Sequence, residues 1–335
     1  MNPFISSAFL IICAGAVTFI ITPKIINRMK MRGLVGKDMN KLGKPEVSEM
    51  GGIAVLFGFS FAILAAIFIH TYFGQFQGID LISLVAGFLT ILLVGFLGVF
   101  DDLIGWKKGI RQWQHALIPA LAALPLMAFS VGIKTMSFPG IGVFAFGIFY
   151  SLIIVPIGIT GAANASNMLA GLNGLETGLG LINAATLLII AVMLGKTNAI
   201  IFLAAMIGAL LAFLYYNWHP ARIFPGDSLT LMIGAGIATA VILGDMEKYG
   251  IMLFAMYFIE LAIKSRHKFQ SENFGIPQKD GTLAPNPKGG SLTHFFMRLG
   301  KFSEKQVVLL ILATQAAIAI LTFIVFYTGF LEAGL

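Results

Sequence analysis

Four polar stretches interrupt an otherwise apolar chain, and each carries residue types able to do chemistry. Asp101 and Asp102 follow directly on the run VAGFLTILLVGFLGVF. Adjacent carboxylates repel each other and lose hydration near a membrane, so the pair suits a cation or proton transfer. A solvated helix end capped by Asp fits the same residues. The stretch N-A-S-N-M-L-A-G-L-N-G-L-E-T-G, residues 164–178, offers neutral oxygens and amides on Asn164, Asn167 and Asn173, while Gly171 and Gly174 allow close backbone approach. That suits a nucleotide and a hard cation, or simply a polar loop with a helix cap. In N-W-H-P-A-R-I-F-P-G-D-S, residues 217–228, Asp227 could hold magnesium together with waters, an amide and substrate phosphates. Alternatively, Asp227 or Ser228 caps the following helix. Arg266, His267 and Lys268 form a cationic run that could clamp a diphosphate. An ordinary basic flank of a membrane helix looks the same.

Other chemistries leave no trace. There is no G-x-x-x-x-G-K-[ST] loop and no G-x-S-x-G elbow, and the five histidines lack zinc spacing. The glycines at 174, 178 and 180 follow no strand, which excludes a dinucleotide fingerprint.

These residues need positioning elements, and composition says what those are. Of 335 residues, 58% are hydrophobic and 11% charged, with a mean hydropathy of +0.91. Soluble domains carry roughly 25% charged residues, so the chain is an all-α polytopic membrane protein. Ten runs approach the ~20 residues that a bilayer core requires: 4–21, 51–70, 81–100, 116–132, 146–163, 179–194, 199–216, 228–244, 249–264 and 306–330. The first lacks the basic flank and cleavage site of a signal peptide and reads as a spanning helix. The whole chain, 1–335, reads as one integral membrane domain. Its longest loop, 265–304, has turn signals such as Asp280-Gly281 that permit a short hairpin. Cys13 stands alone, so no internal disulfide forms.

Charge gives orientation. Segments 22–50, 101–115, 164–178, 217–227 and 264–305 hold 19 of the 22 Lys and Arg residues. The positive-inside rule places those loops in the cytoplasm and both termini outside. Most acidic residues lie in the same segments, so chemistry is expected at the cytoplasmic membrane face. The net charge of +7 serves topology and anionic substrates; without a basic stripe interleaved with aromatics, nucleic acid is not a partner.

Taken in order, G-K-D-M-N-K (36–41), P-E (45–46), Asp101-Asp102, 164–178, 217–228 and R-H-K (266–268) resemble the polyprenyl-phosphate N-acetylhexosamine-1-phosphate transferase family, nearest its dolichyl-phosphate branch of eukaryotes and archaea. The resemblance implies transfer of N-acetylglucosamine 1-phosphate from a UDP-sugar to a polyprenyl phosphate, with release of UMP. It implies magnesium, with manganese able to replace it, on Asn164 and Asp227. Asp101 or Asp102 would activate the lipid phosphate, and Gly171, Asn173 and Phe224 would line the uridine site, with Asn167 in the same substrate-binding stretch. Arg266, His267 and Lys268 would meet the sugar-diphosphate, while Lys37 and Glu46 would help cover the nucleotide. Where the family has a lysine after the acidic pair, this chain has His115. The resemblance also permits a homodimer. Muramoyl-pentapeptide transfer is the nearer alternative, although no three-histidine run occurs in 265–304. A secondary transporter would put its charges near mid-membrane rather than at one face.

Overall fold

The computed structural model describes residues 3–108, 117, 119–132, 135–138, 142–287 and 289–329. Its helices are α1 (Pro3–Met31), α2 (Gly52–Phe73), α3 (Leu81–Lys108), α4 (Leu124–Ala128), α5 (Val155–Met168), α6 (Leu175–Met193), α7 (Thr197–Asn217), α8 (Asp227–Gly244), α9 (Glu247–Leu253), α10 (Ala255–Arg266), α11 (Leu292–Arg298) and α12 (Glu304–Tyr327). A π-helical turn, Tyr150–Ile154, leads into α5.

Eight helical segments among the described residues are long and apolar enough to cross a membrane. The protein is an integral membrane, helical bundle. Two of the ten expected spans differ. The fourth, 116–132, lies partly outside the described residues, and α4 is the one named helix there. The ninth is broken at Phe254 into α9 and α10. The break is satisfied from inside the bundle: Gln315 of α12 donates to the Leu253 carbonyl at 2.9 Å and to Asn183 of α6 at 2.6 Å.

Burial separates centre from rim. The apolar window of α8 is 83% buried and that of α7 78%, against 28% for α1. Close approach needs small residues. A Cβ at Gly208 of α7 would lie 2.2 Å from the Ile11 carbonyl of α1, and one at Gly234 of α8 would lie 2.0 Å from that of Ala162 on α5. Helix α8 therefore runs down the middle, wrapped by α2, α3, α5, α6 and α7.

Three antiparallel hairpins sit outside the bundle. Strands β1 (Val35–Lys37) and β2 (Glu46–Ser48) pair with Lys37 opposite Glu46. Strands β3 (Thr135–Phe138) and β4 (Gly142–Ala145) form the second. In the third, β5 (Ile276–Pro277) and β6 (Leu283–Ala284) flank the Asp280-Gly281 turn, where the sequence permits a hairpin.

Candidate active site

The loop that delivers Asp227 is clamped at both ends. Asn217, the last residue of α7, accepts from the Thr177 hydroxyl at 2.9 Å and donates to the Ile223 carbonyl at 3.0 Å. The segment after β2 holds the other side: the Phe224 amide donates to Ser48 O at 2.7 Å, and the Gly51 and Gly52 amides donate to the Phe224 and Pro225 carbonyls at 2.9 Å each. Phe224 is thereby fixed half-buried in a cleft wall, and Asp227 opens α8.

The first amides of a helix need acceptors, and here a different helix supplies them. Asp102 of α3 accepts from the Asp227 amide at 2.7 Å and the Ser228 amide at 3.2 Å. Neither Asp227 nor Ser228 is the cap residue; that position is Gly226, at φ +69 and ψ 171. A Cβ there would lie 2.5 Å from Asp102 Oδ2, and one at Gly98 would lie 2.5 Å from the Asp227 carbonyl. The acidic pair does not end a helix as its position after the apolar run suggested, because α3 continues to Lys108. Asp101 is buried beside it.

The opposite wall is the turn after α5. Asn167 accepts from the Thr230 hydroxyl at 3.1 Å, which joins α5 to the first turn of α8. Asn164, one turn earlier, donates to Thr160 O at 2.9 Å and is not part of the cleft lining. The structure thus brings Asn167 rather than Asn164 to the Asp227 cleft. Lys264 of α10 donates to the Met168 carbonyl at 2.7 Å, and Asn273 donates to those of Met168 and Ala170 at 2.9 and 2.6 Å.

A buried polar layer then holds the turn 171–173. Asn40 donates to Gly171 O at 2.9 Å and accepts from the Gly275 amide at 3.0 Å. The Gly171 amide donates to Glu176. The Asn173 amide donates to Glu304 at 2.9 Å, and the Asn173 side chain donates to Asp38 at 3.0 Å. Lys41 bonds Asp38 and lies 3.6 Å from Glu304. Gly171 sits at φ +108, open to glycine alone at low cost, and its Cα faces the Phe274 ring.

The resulting cleft is lined by Lys37, Asp38, Asn40, Glu49, Asn167, Gly171, Asn173, Glu176, Phe224, Asp227, Thr230 and Phe274, among others. Glu49 reaches in over Gly36, where a Cβ would lie 2.1 Å from its carboxylate. Burial, and then the charge of Asp227, raise the Glu49 pKa above the usual carboxylate range. Asp38, Asn40, Glu49, Glu176, Glu304 and Phe274 were not singled out as site residues from sequence; the available signals were the G-K-D-M-N-K motif that holds Asp38 and Asn40 and the 164–178 stretch that holds Glu176.

Other expected residues stand apart. Glu46 is exposed and does not line the cleft, although its hairpin partner Lys37 does. Arg266, His267 and Lys268 are exposed at the end of α10 and outside the lining, with the His267 ring against Gly290. His115 lies outside the described residues.

Comparison with known proteins agrees with this architecture. Residues 81–245, which carry Asp101, Asp102, Asn167, Phe224 and Asp227, match the model for glycosyl transferase family 4. A Sulfolobus acidocaldarius protein is 38% identical over 95% of each chain, and one from Saccharolobus solfataricus is 37% identical over 92% of this chain and 93% of its own. Both are provisionally named UDP-N-acetylglucosamine–dolichyl-phosphate N-acetylglucosaminephosphotransferase. A phospho-N-acetylmuramoyl-pentapeptide-transferase of Limosilactobacillus reuteri is 32% identical over 77% of this chain and 81% of its own. With this similarity running over nearly its whole length, the chain is a sugar-phosphate transferase and belongs to glycosyl transferase family 4.

Proposed function

We propose that the protein transfers N-acetylglucosamine 1-phosphate from UDP-N-acetylglucosamine to dolichyl phosphate at the cytoplasmic membrane face and releases UMP. The carrying observation is that one cleft is lined both by Phe224 with the turn 171–173 and by two carboxylates, Asp227 and Glu49. An aromatic face beside amides suits a base. Two carboxylates whose charges oppose each other suit a cation.

Among the described residues no three His, Cys, Asp or Glu side chains cluster as a metal-binding group. Magnesium does not require one, because it takes one or two carboxylates and completes its shell with waters and phosphates. The donors fit: Asp227 and Glu49 with the Asn167 amide oxygen beside them. A bound divalent cation would neutralise the diphosphate. Asp102 holds the Asp227 backbone in place with one bond to each of its oxygens, and each oxygen keeps a further lone pair with which the acidic pair can act on the lipid phosphate. The acceptor phosphate oxygen attacks the β-phosphorus, the bond to the bridging oxygen breaks, and UMP leaves. The exposed Arg266 and His267 stand ready to meet the sugar-diphosphate from outside the cleft.

The test is purified protein in detergent with UDP-N-acetylglucosamine, dolichyl phosphate and magnesium. UMP release that needs all three supports the reading. Release with UDP-N-acetylmuramoyl-pentapeptide alone would overturn the sugar assignment, and no release with either would overturn the activity.

A further inference from the structure

The Asn173 side chain is 3% exposed yet lines the cleft. Its two polar atoms are chemically opposite, an acceptor oxygen and a donor nitrogen, and an isolated amide presents either by turning about its last bond. Here the choice is made by a neighbour on the same cleft wall. Asp38, 2% exposed, takes the Asn173 Nδ2–H bond at 3.0 Å. The same carboxylate receives the Lys41 ammonium and, on its other oxygen, the Asn40 amide at 3.2 Å. A carboxylate paired in this way only accepts, so the Asn173 nitrogen must face Asp38. The Asn173 backbone is pinned as well, by its amide bond to Glu304 at 2.9 Å. Asn173 Oδ1 has no partner among the described residues.

We propose that Asp38 is a positioning residue that sets base specificity: it locks the Asn173 amide so that the cleft offers an acceptor to an imide N–H. This rests on the nucleotide reading above and deepens it. Uracil carries a donor at N3, whereas cytosine carries a lone pair there. Against a fixed Oδ1, uracil gains a hydrogen bond and cytosine meets repulsion. A site built to complete a buried hydrogen bond rejects the analogue that cannot make it far better than an apolar pocket rejects a changed shape. Glu304 and Lys41 support the lock without facing the base, since neither lines the cleft.

The experiment measures UMP and CMP affinity for the full-length purified protein and for Asp38→Asn. In the wild type, UMP should bind at least about tenfold more tightly than CMP, the worth of one such bond. Asp38→Asn can donate as well as accept, so the Asn173 amide is free to turn its nitrogen toward cytosine N3. UMP affinity should fall and CMP affinity should rise, closing the ratio to about threefold or less. Structural damage alone would weaken both together and leave the ratio standing; that result overturns the proposal. Should Asp38→Asn not purify, Asp38→Ser is read by the same ratio. A wild type that binds neither nucleotide, or both equally, would instead overturn the uridine reading itself.

Discussion

The two ends of the bundle are both polar, but they are wired differently. At the end that carries Asp245, the shared acceptor is a local one: Asp80 takes the Ile82 and Ser83 amides and the Ser83 hydroxyl at the start of its own helix. Bonds between segments there include Lys196 with Asp245 at 2.6 Å, Tyr150 with Glu247, and Asn198 with the Asp80 carbonyl at 2.9 Å. At the Asp227 end the shared members join segments far apart in the chain. Asp38 serves Asn40, Lys41 and Asn173; Asp102 serves two amides; Asn273 serves two carbonyls. Bonds within one helix end satisfy local groups and leave distant segments where they are. A shared network fixes relative positions, and losing one member shifts several others. The wiring itself marks the end where geometry has to be held.

The contrast is broken most directly by exchanging carboxylates at the two ends. Asp227→Asn should reduce UMP release by roughly a thousandfold, the scale of removing one electrostatic group from a transition state. Asp245→Asn removes a partly exposed pair and should change turnover by less than about twofold. Comparable losses at both ends would end the comparison.

A second test uses two glycines that share a positive φ. Gly226 has φ +69 and Gly195 has φ +68, but a Cβ at 195 meets nothing within 4 Å. Alanine costs about 1–2 kcal/mol of left-handed strain at 195 and about 1–3 kcal/mol at 226, where ψ 171 is all but confined to glycine, each read as a lower midpoint of thermal unfolding. At 226 the new methyl also drives Asp102 away from the α8 amides, so turnover should fall by about tenfold or more. Gly195→Ala should keep its turnover.

The smallest effect expected is in pH dependence. Burial and the Asp227 charge raise the Glu49 pKa, so the folded protein holds a proton that the unfolded chain has released. Metal-free stability should therefore decline as pH rises from the usual carboxylate range through the raised value, and level off above it. Added magnesium favours the ionised form and should flatten that slope. Glu49→Gln should lose both the slope and the response to magnesium, while Lys196→Ala at the far end should keep them. A slope that survives Glu49→Gln would remove Glu49 from the cation site.

The sequence marked the apolar spans, the Asp280-Gly281 hairpin and the loop of Phe224 and Asp227, since each is written in consecutive residues. The buried layer was not legible in the same way. Asp38 meets Asn173 across 135 positions and Asn40 meets Gly171 across 131, and no local period encodes such pairings. Which of Asn164 and Asn167 lines the Asp227 cleft was hidden for a related reason. Three residues apart on a helix, they lie on one face, and only the packing of α5 against α8 decides which of them reaches Thr230. Asp102 was read as chemistry or as a cap for its own helix; its bonds to the first amides of α8 span about 125 positions and lay outside any local pattern.

The break at Phe254 bears on how the chain is made. Helix α9 has seven residues, about 10 Å of rise, against a hydrocarbon core of about 30 Å. It cannot cross as an independent rod, and the freed Leu253 carbonyl has no water to turn to within the bilayer. Its donor, Gln315, belongs to α12, which the ribosome makes more than fifty residues later. The ninth segment therefore reaches its final packing only after translation has delivered the last helix.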